Sequence, residues 1–254
     1  MHCDHAETLG SFGDELNVVV VGASGGIGEA LIRHLSADPA VAAIAACRRR
    51  GDVLDHRKVM PLHLDLLDEG TIERAAKDIG ERMSPVHLVI VATGILHDDA
   101  GLSPEKTWRT LDPSAMEKVF RINTIGPAMV GKHFLPLLAR DRKSVFAAIS
   151  ARVGSIGDNQ LGGWHAYRAS KAALNMILKN FAIELARRNP KACCIGLHPG
   201  TVATNLSSPF QGGVAKGKLF TAMHAAGCLL QVIDDVTNDE SGSVFAWDGQ
   251  IIPP

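Results

Sequence analysis

Three features of this 254-residue chain predict an α/β fold: a doubly wound, seven-stranded parallel sheet with helices on both faces. Short apolar runs rich in β-branched residues alternate with helical patterns along the whole length, as in strands buried on both sides and joined by crossover helices. The first run, Leu16-Asn17-Val18-Val19-Val20-Val21, leads straight into the turn Gly22-Ala23-Ser24-Gly25-Gly26-Ile27-Gly28 and then a helical pattern. A hydrophobic content of 46% over this length supplies a sizeable core, and no linker or composition shift divides it.

In order along the chain, residues 1–15 lack the apolar core of a secretory signal, and Gly10, Ser11 and Gly13 predict a flexible leader before one domain over 16–254. Strands are predicted at 16–21, 41–47, 59–64, 86–93, 144–150, 192–198 and 243–247. Each is a short apolar run bounded by turn residues. Helices fit between them at 27–37, 69–83, 114–139, 164–189 and about 219–236, where apolar residues recur with the helical period.

Composition excludes several classes of function. The 26 basic and 27 acidic residues are interspersed, leaving a net charge of −1 and no basic surface for nucleic acid. No apolar run approaches the ~20 residues of a membrane span, so a cytoplasmic protein without membrane partners is expected. Cys3, Cys47, Cys193, Cys194 and Cys228 have neither disulfide nor zinc spacing and read as reduced thiols. His2, Cys3 and His5 cluster near the terminus, but without further ligands no metal site is expected.

The strand, glycine turn and helix at 16–37 make the first half of a dinucleotide-binding unit. Glycines allow a tight turn and close backbone approach, and the helix N-terminus receives a pyrophosphate. The second strand ends Cys47-Arg48-Arg49-Arg50, with no acid to accept the ribose hydroxyl of NAD. Guanidinium groups suit a 2′-phosphate, so NADP(H) is the expected cofactor, with Arg48 and Arg49 the nearest contacts. Tyr167, the one tyrosine of the chain, precedes Lys171 by a helical turn. The two side chains share a face, where a lysine charge would lower the phenol pKa from about 10 and fit it for acid/base work.

With these residues in view, 17–250 resembles the short-chain dehydrogenase/reductases, the compact single-domain type with a Rossmann-type sheet. Gly22, Gly26 and Gly28 match that family's glycine turn, with Ser24, Gly25 and Ile27 between them, although Val21 replaces the usual threonine. Asp65 matches the adenine-contacting aspartate, followed by Leu66. Ala92-Thr93-Gly94 stands where the family commonly has Asn-Ala-Gly. Asn123 matches the mid-helix asparagine, and Tyr167 with Lys171 the Tyr-x-x-x-Lys pair. Pro199-Gly200-Thr201-Val202-Ala203-Thr204 matches the segment beside the nicotinamide, with Pro199, Gly200, Val202 and Thr204 as contacts. Residues 154–159 and Trp247-Asp248-Gly249 look most like sniffer-type carbonyl reductases and bacterial C-factor-like proteins.

The resemblance implies an NADPH-dependent oxidoreductase that reduces a carbonyl of a small molecule to an alcohol. Tyr167 would donate the proton and also meet the cofactor. Lys171 would bind the nicotinamide ribose, and Asn123 would anchor a water feeding the lysine. One departure is visible. The fifth strand of relatives ends in a serine pair, but here it ends Ile149-Ser150-Ala151-Arg152-Val153-Gly154, and alignment on Gly154 puts Ala151 at the catalytic serine position. Side-chain alternation turns Ser150 to the opposite face unless the strand end bulges. Ser150 is the favoured carbonyl-orienting residue, with Ser155, or no serine, left open.

Residues 205–218 read as a loop and candidate substrate lid, whose Phe210 and Val214 suit a partly apolar substrate. The long helices around 116–138 and 174–185 suit a homodimer or homotetramer. The competing reading is an NADP-binding regulatory or signalling protein with little turnover, suggested by the C-factor likeness and by Ala151.

Overall fold

The computed structural model describes residues 9–213, 215 and 217–254. The chain runs β1 (Leu16–Val21), α1 (Gly26–Ala37), β2 (Val41–Arg48), β3 (Val59–His63), α2 (Glu69–Arg82), β4 (Leu88–Val91), α3 (Pro113–Phe120), α4 (Gly126–Phe134), β5 (Ser144–Ile149), α5 (His165–Arg188), β6 (Ala192–His198), β7 (Thr201–Val202), β8 (Leu219–Phe220), α6 (Ala222–Asp235) and β9 (Val244–Ala246). Seven strands form one parallel sheet in the order β3-β2-β1-β4-β5-β6-β9. β7 and β8 pair separately.

β1 shows why its sequence is apolar without alternation. Val18 and Val20 pack with Leu31 and Leu35 of α1 and Leu229 and Ile233 of α6. Val19 and Val21 pack on the other face with Ile72 and Ile79 of α2, Phe134 of α4 and Leu174 of α5. Both faces of the strand are therefore buried. Strand order reverses between β1 and β4, which opens a crevice at the carboxyl ends of these strands. The glycine turn lies at that crevice.

Three expectations change. The helix expected at 114–139 runs without a gap from Pro113 to Leu137 but is not α-helical throughout: α3 passes into a π-helical turn (Arg121–Ile125), then α4 and a 3-10 turn (Leu135–Leu137). Pro127 is the physical reason: it has no N–H to bond the carbonyl four residues earlier, and its ring crowds that carbonyl. The helix expected from 219 starts at Ala222 instead, because Thr221 caps it by accepting from the His224 N–H, and Leu219–Phe220 pairs with β7.

The third change concerns the leader. Part of the expected leader is packed: Leu9 and Phe12 are buried in the core against the α1/α6 face, while Gly10, Ser11 and residues 13–15 are exposed. Ser11 bonds the carboxylate and carbonyl of Asp234 at the end of α6. Lys143 lies over the Phe12 ring and donates to the Asp234 and Val236 carbonyls. Residues 1–8, with His2, Cys3 and His5, lie outside the described residues.

Candidate active site

The crevice holds a cavity of about 420 Å³ whose walls include Gly22, Ser24 and Gly25 of the glycine turn, Arg48 and Arg49 after β2, Asp65 and Leu66 after β3, and Ala92, Thr93 and Gly94 after β4. Gly22 has φ of 90°, and a Cβ there would lie 2.9 Å from the Ala92 carbonyl oxygen. A Cβ on Gly28 would lie 2.1 Å from the Gly22 oxygen. The turn is thus closed to side chains at both points, and α1 begins at Gly26 without a side-chain cap.

Arg50, the third guanidinium of the run, lines the same cavity, as do Ile95 and Ile122, which sequence reasoning left out of the site. The Arg50 carbonyl accepts from Ser24 Oγ at 2.9 Å, which ties the arginine turn to the glycine turn. Arg48 Nε donates to Gly51 O at 2.5 Å. Thr93 Oγ1 is buried and makes no hydrogen bond among the described residues. An uncapped helix start, three guanidinium groups and an unpaired buried hydroxyl together fit an extended anionic ligand such as a phosphorylated dinucleotide.

Gly26, Ile27, Gly28, Pro199, Gly200, Val202 and Thr204 are not in the cavity wall. Thr204 closes on the turn all the same, since a Cβ on Gly26 would meet its methyl at 2.8 Å. Thr204, at the end of the segment 199–204, therefore lies against the start of α1.

Tyr167 and Lys171 project from the first turns of α5 and are 8% and 1% exposed. Lys171 Nζ donates to the Ile149 carbonyl at 2.8 Å and sits 5.9 Å from the Tyr167 ring centroid. Asn123, in the π-helical turn, accepts from Ile95 N–H at 2.8 Å and donates to Ile95 O at 2.9 Å and to Ser170 Oγ at 3.1 Å. Its amide thus joins the loop after β4 to α5. A Cβ on Gly94 would stand 3.6 Å from both Asn123 Oδ1 and Lys171 Nζ, so the cavity wall meets Lys171 and Asn123 at this glycine.

The expected electrostatics do not hold. Burial pushes the Tyr167 phenol up to about 12, and burial pushes the Lys171 ammonium down to about 7. Desolvation of the charged forms outweighs the attraction that the sequence suggested, because both groups lie in the interior.

Ser150 is the second correction. Its Oγ donates to Asn175 Oδ1 at 2.6 Å, one turn of α5 beyond Lys171. The β5–β6 register runs unbroken from Ser144 to Ile149, and Ser150 N–H continues it to Leu197 O. Without a bulge, alternation holds. The methyl of Ala151, not a hydroxyl, clusters with Tyr167 and Leu96, with Trp164, Leu206 and Phe210 packed against them. Ser155 Oγ is turned to the Asp158 N–H and the Pro254 carbonyl. Neither serine points at Tyr167.

Phe210, from the loop expected to be a lid, lies 5.1 Å from the Trp164 ring and 5.8 Å from His97. Val214 lies outside the described residues. His97 Nε2 is also 3.0 Å from Asn205 O, so the loop after β4 holds the loop carrying Phe210. Among the described residues no group of three His, Cys, Asp or Glu side chains could hold a metal ion, and no helix is long and apolar enough to cross a membrane.

The glycine turn, the Tyr-Lys pair and the sheet order agree with the match of residues 16–213 to the short chain dehydrogenase family. The chain belongs to that family. It is 32% identical, over 92% of its length and 98% of the relative, to the 1-hydroxy-2-glutathionyl-2-methyl-3-butene dehydrogenase of Rhodococcus sp. (strain AD45). It is 33% identical to the C-signal of Myxococcus xanthus, over 64% of this chain and 95% of that protein. Among solved structures, the NADPH-bound carbonyl reductase from chicken fatty liver superposes with a TM-score of 0.82 at 25% identity, covering 96% of this chain and 97% of that one.

Proposed function

We propose that this protein is an NADP(H)-dependent oxidoreductase that reduces the carbonyl of a small molecule to an alcohol, with Tyr167 as its acid/base. The observation that carries the proposal is the meeting at Gly94 of the anion-suited cavity with Lys171 and Asn123, one helical turn from Tyr167. The NADPH-bound carbonyl reductase supports the same reading.

When bound, the cofactor supplies or accepts hydride. Arg48 and Arg49 hold its 2′-phosphate, the start of α1 its pyrophosphate, and Asp65 the adenosine end. A phenol whose pKa is pushed up to about 12 stays protonated at neutral pH and is ready to donate to a developing alkoxide. Lys171, brought down to about 7, can give up and regain a proton there, which suits it to restore the phenol. Asn123 spends its amide on the Ile95 backbone and Ser170, so it fixes the geometry between cavity and α5. With a methyl at Ala151, Tyr167 is the hydroxyl that meets the substrate oxygen. Exposed apolar residues, Ile125 before α4 and Met176 and Ile183 on α5, suit a homodimer or homotetramer.

The second reading, an NADP-binding regulatory protein with little turnover, is favoured by Ala151 and by the similarity to C-signal. One experiment separates them. Wild type and Tyr167→Phe are compared on a panel of aldehydes, quinones and diketones by following NADPH absorbance. On the enzymatic reading, the variant folds and binds NADPH but loses at least about 100-fold in turnover. A wild type that binds NADPH and reduces nothing, with a biological phenotype that Tyr167→Phe leaves intact, would establish the regulatory reading instead.

A further inference from the structure

Tyr167 stands near the start of a helix that begins in an unusual way. Three consecutive left-handed residues precede α5: Gly162, Gly163 and Trp164, with φ of 61°, 66° and 50°. A bulky residue in that region is strained, and strain of this kind persists only where neighbours hold it. Trp164 is also the N-cap residue, and no side chain of its own caps the helix.

What holds this start is Glu105, from the loop between β4 and α3. Its carbonyl accepts the Trp164 N–H at 2.6 Å, and its carboxylate accepts the Ala166 N–H at 3.2 Å. Glu105 is 7% exposed, and among the described residues no lysine, arginine or histidine forms an ion pair with it. Its charge is instead met by the N-terminal end of α5, where free N–H groups and the helix dipole favour an anion. The turn fixed in this way carries the Trp164 ring, 6.2 Å from Tyr167 and 5.1 Å from Phe210, and leads into Tyr167.

We propose that Glu105 is the positioning residue of the site: by bonding the first turn of α5 across 61 positions of sequence, it sets where the Tyr167 phenol and the Trp164 ring stand in the cleft. It is not among the residues that line the cavity after the glycine turn. Its effect on turnover rests on the reading of Tyr167 as acid/base, and a displacement of about 1 Å in such a group can cost on the order of 100-fold in rate.

The test uses the full chain and its single tyrosine, which gives one 19F resonance when replaced by fluorotyrosine. Three variants are compared: Glu105→Ala, which removes the acceptor, Glu105→Asp, which withdraws it by one methylene, and Glu105→Gln, which keeps an oxygen in reach. Glu105→Ala and Glu105→Asp should shift or broaden the fluorotyrosine line and speed amide exchange at 165–168 but not at 174–185. Glu105→Gln should resemble wild type. On a carbonyl that wild type reduces, kcat should fall ten- to 100-fold in Glu105→Ala and Glu105→Asp, with NADPH affinity unchanged within about threefold, and Glu105→Gln should restore it. In a Tyr167→Phe background the same changes should cost nothing more. An unmoved fluorotyrosine line, a further loss in the Tyr167→Phe background, or Glu105→Gln as damaging as Glu105→Ala overturns the proposal. Should wild type reduce nothing, the acid/base reading fails, while the 19F line and amide exchange still decide whether Glu105 holds the turn. If Glu105→Ala does not fold, the Asp and Gln variants carry the same comparison.

Discussion

Lys171 is buried to 1% exposure, and its ammonium is held at about 7 instead of 10.5 by desolvation. That difference should be visible in stability as well as chemistry. Below about pH 7 the lysine is charged in both folded and unfolded states, and folding bears the whole cost of burying the charge. As pH rises from there toward 10.5, the unfolded chain keeps a proton that the folded protein has released. The unfolded state then binds more protons, so stability rises with pH through this window. Integration over the two ionisations makes the gain from this group about 2 kcal/mol between pH 7 and 9. Lys171→Met keeps most of the stem volume and removes the ionisation.

Urea unfolding of both proteins at several pH values in that range measures it. The buried thiols of Cys47, Cys193 and Cys194, pushed up by burial, act in the opposite sense above about pH 9, but they are common to both proteins and cancel in the difference. The stability of wild type minus that of Lys171→Met should climb by about 2 kcal/mol from pH 7 to 9. A difference that stays flat would refute both the depressed ionisation and the proton-shuttling role built on it.

Three further outcomes are expected. Replacing Arg48 and Arg49 together by alanine should remove a preference for NADPH over NADH of at least tenfold, about 1.4 kcal/mol, read by fluorescence titration of both cofactors. Phe12→Ala should cost about 3 kcal/mol in urea unfolding, because the ring is buried between the core and Lys143, with kcat and KM unchanged. Ser150→Ala should lose about 1 kcal/mol of stability with its bond to Asn175 and leave kcat within about threefold, a split visible by pairing denaturation with turnover assays.

What could be read in the sequence depended on how local its cause was. β1 and β6 fall on the expected residues because strands buried on both faces leave unmistakable apolar runs. The π-helical turn at Asn123 also has a local cause, in Ile125-Gly126-Pro127, since proline forbids one helical bond whatever surrounds it. The alternation of β5 already argued against Ser150, and the structure supplies no bulge to rescue it.

The remaining differences have non-local causes. Leu9 and Phe12 are packed because α6 and Lys143 arrive from more than 100 residues away, and nothing within 1–15 announces it. Glu105 looks like any loop acid until α5 comes to rest on it. The Tyr-Lys pair is the most instructive case. Its spacing was legible, but the sign of the phenol's shift turned on depth of burial, which four residues of helix cannot specify. Spacing on a helix tells which groups share a face; the layers that close over that face decide how readily each holds its proton.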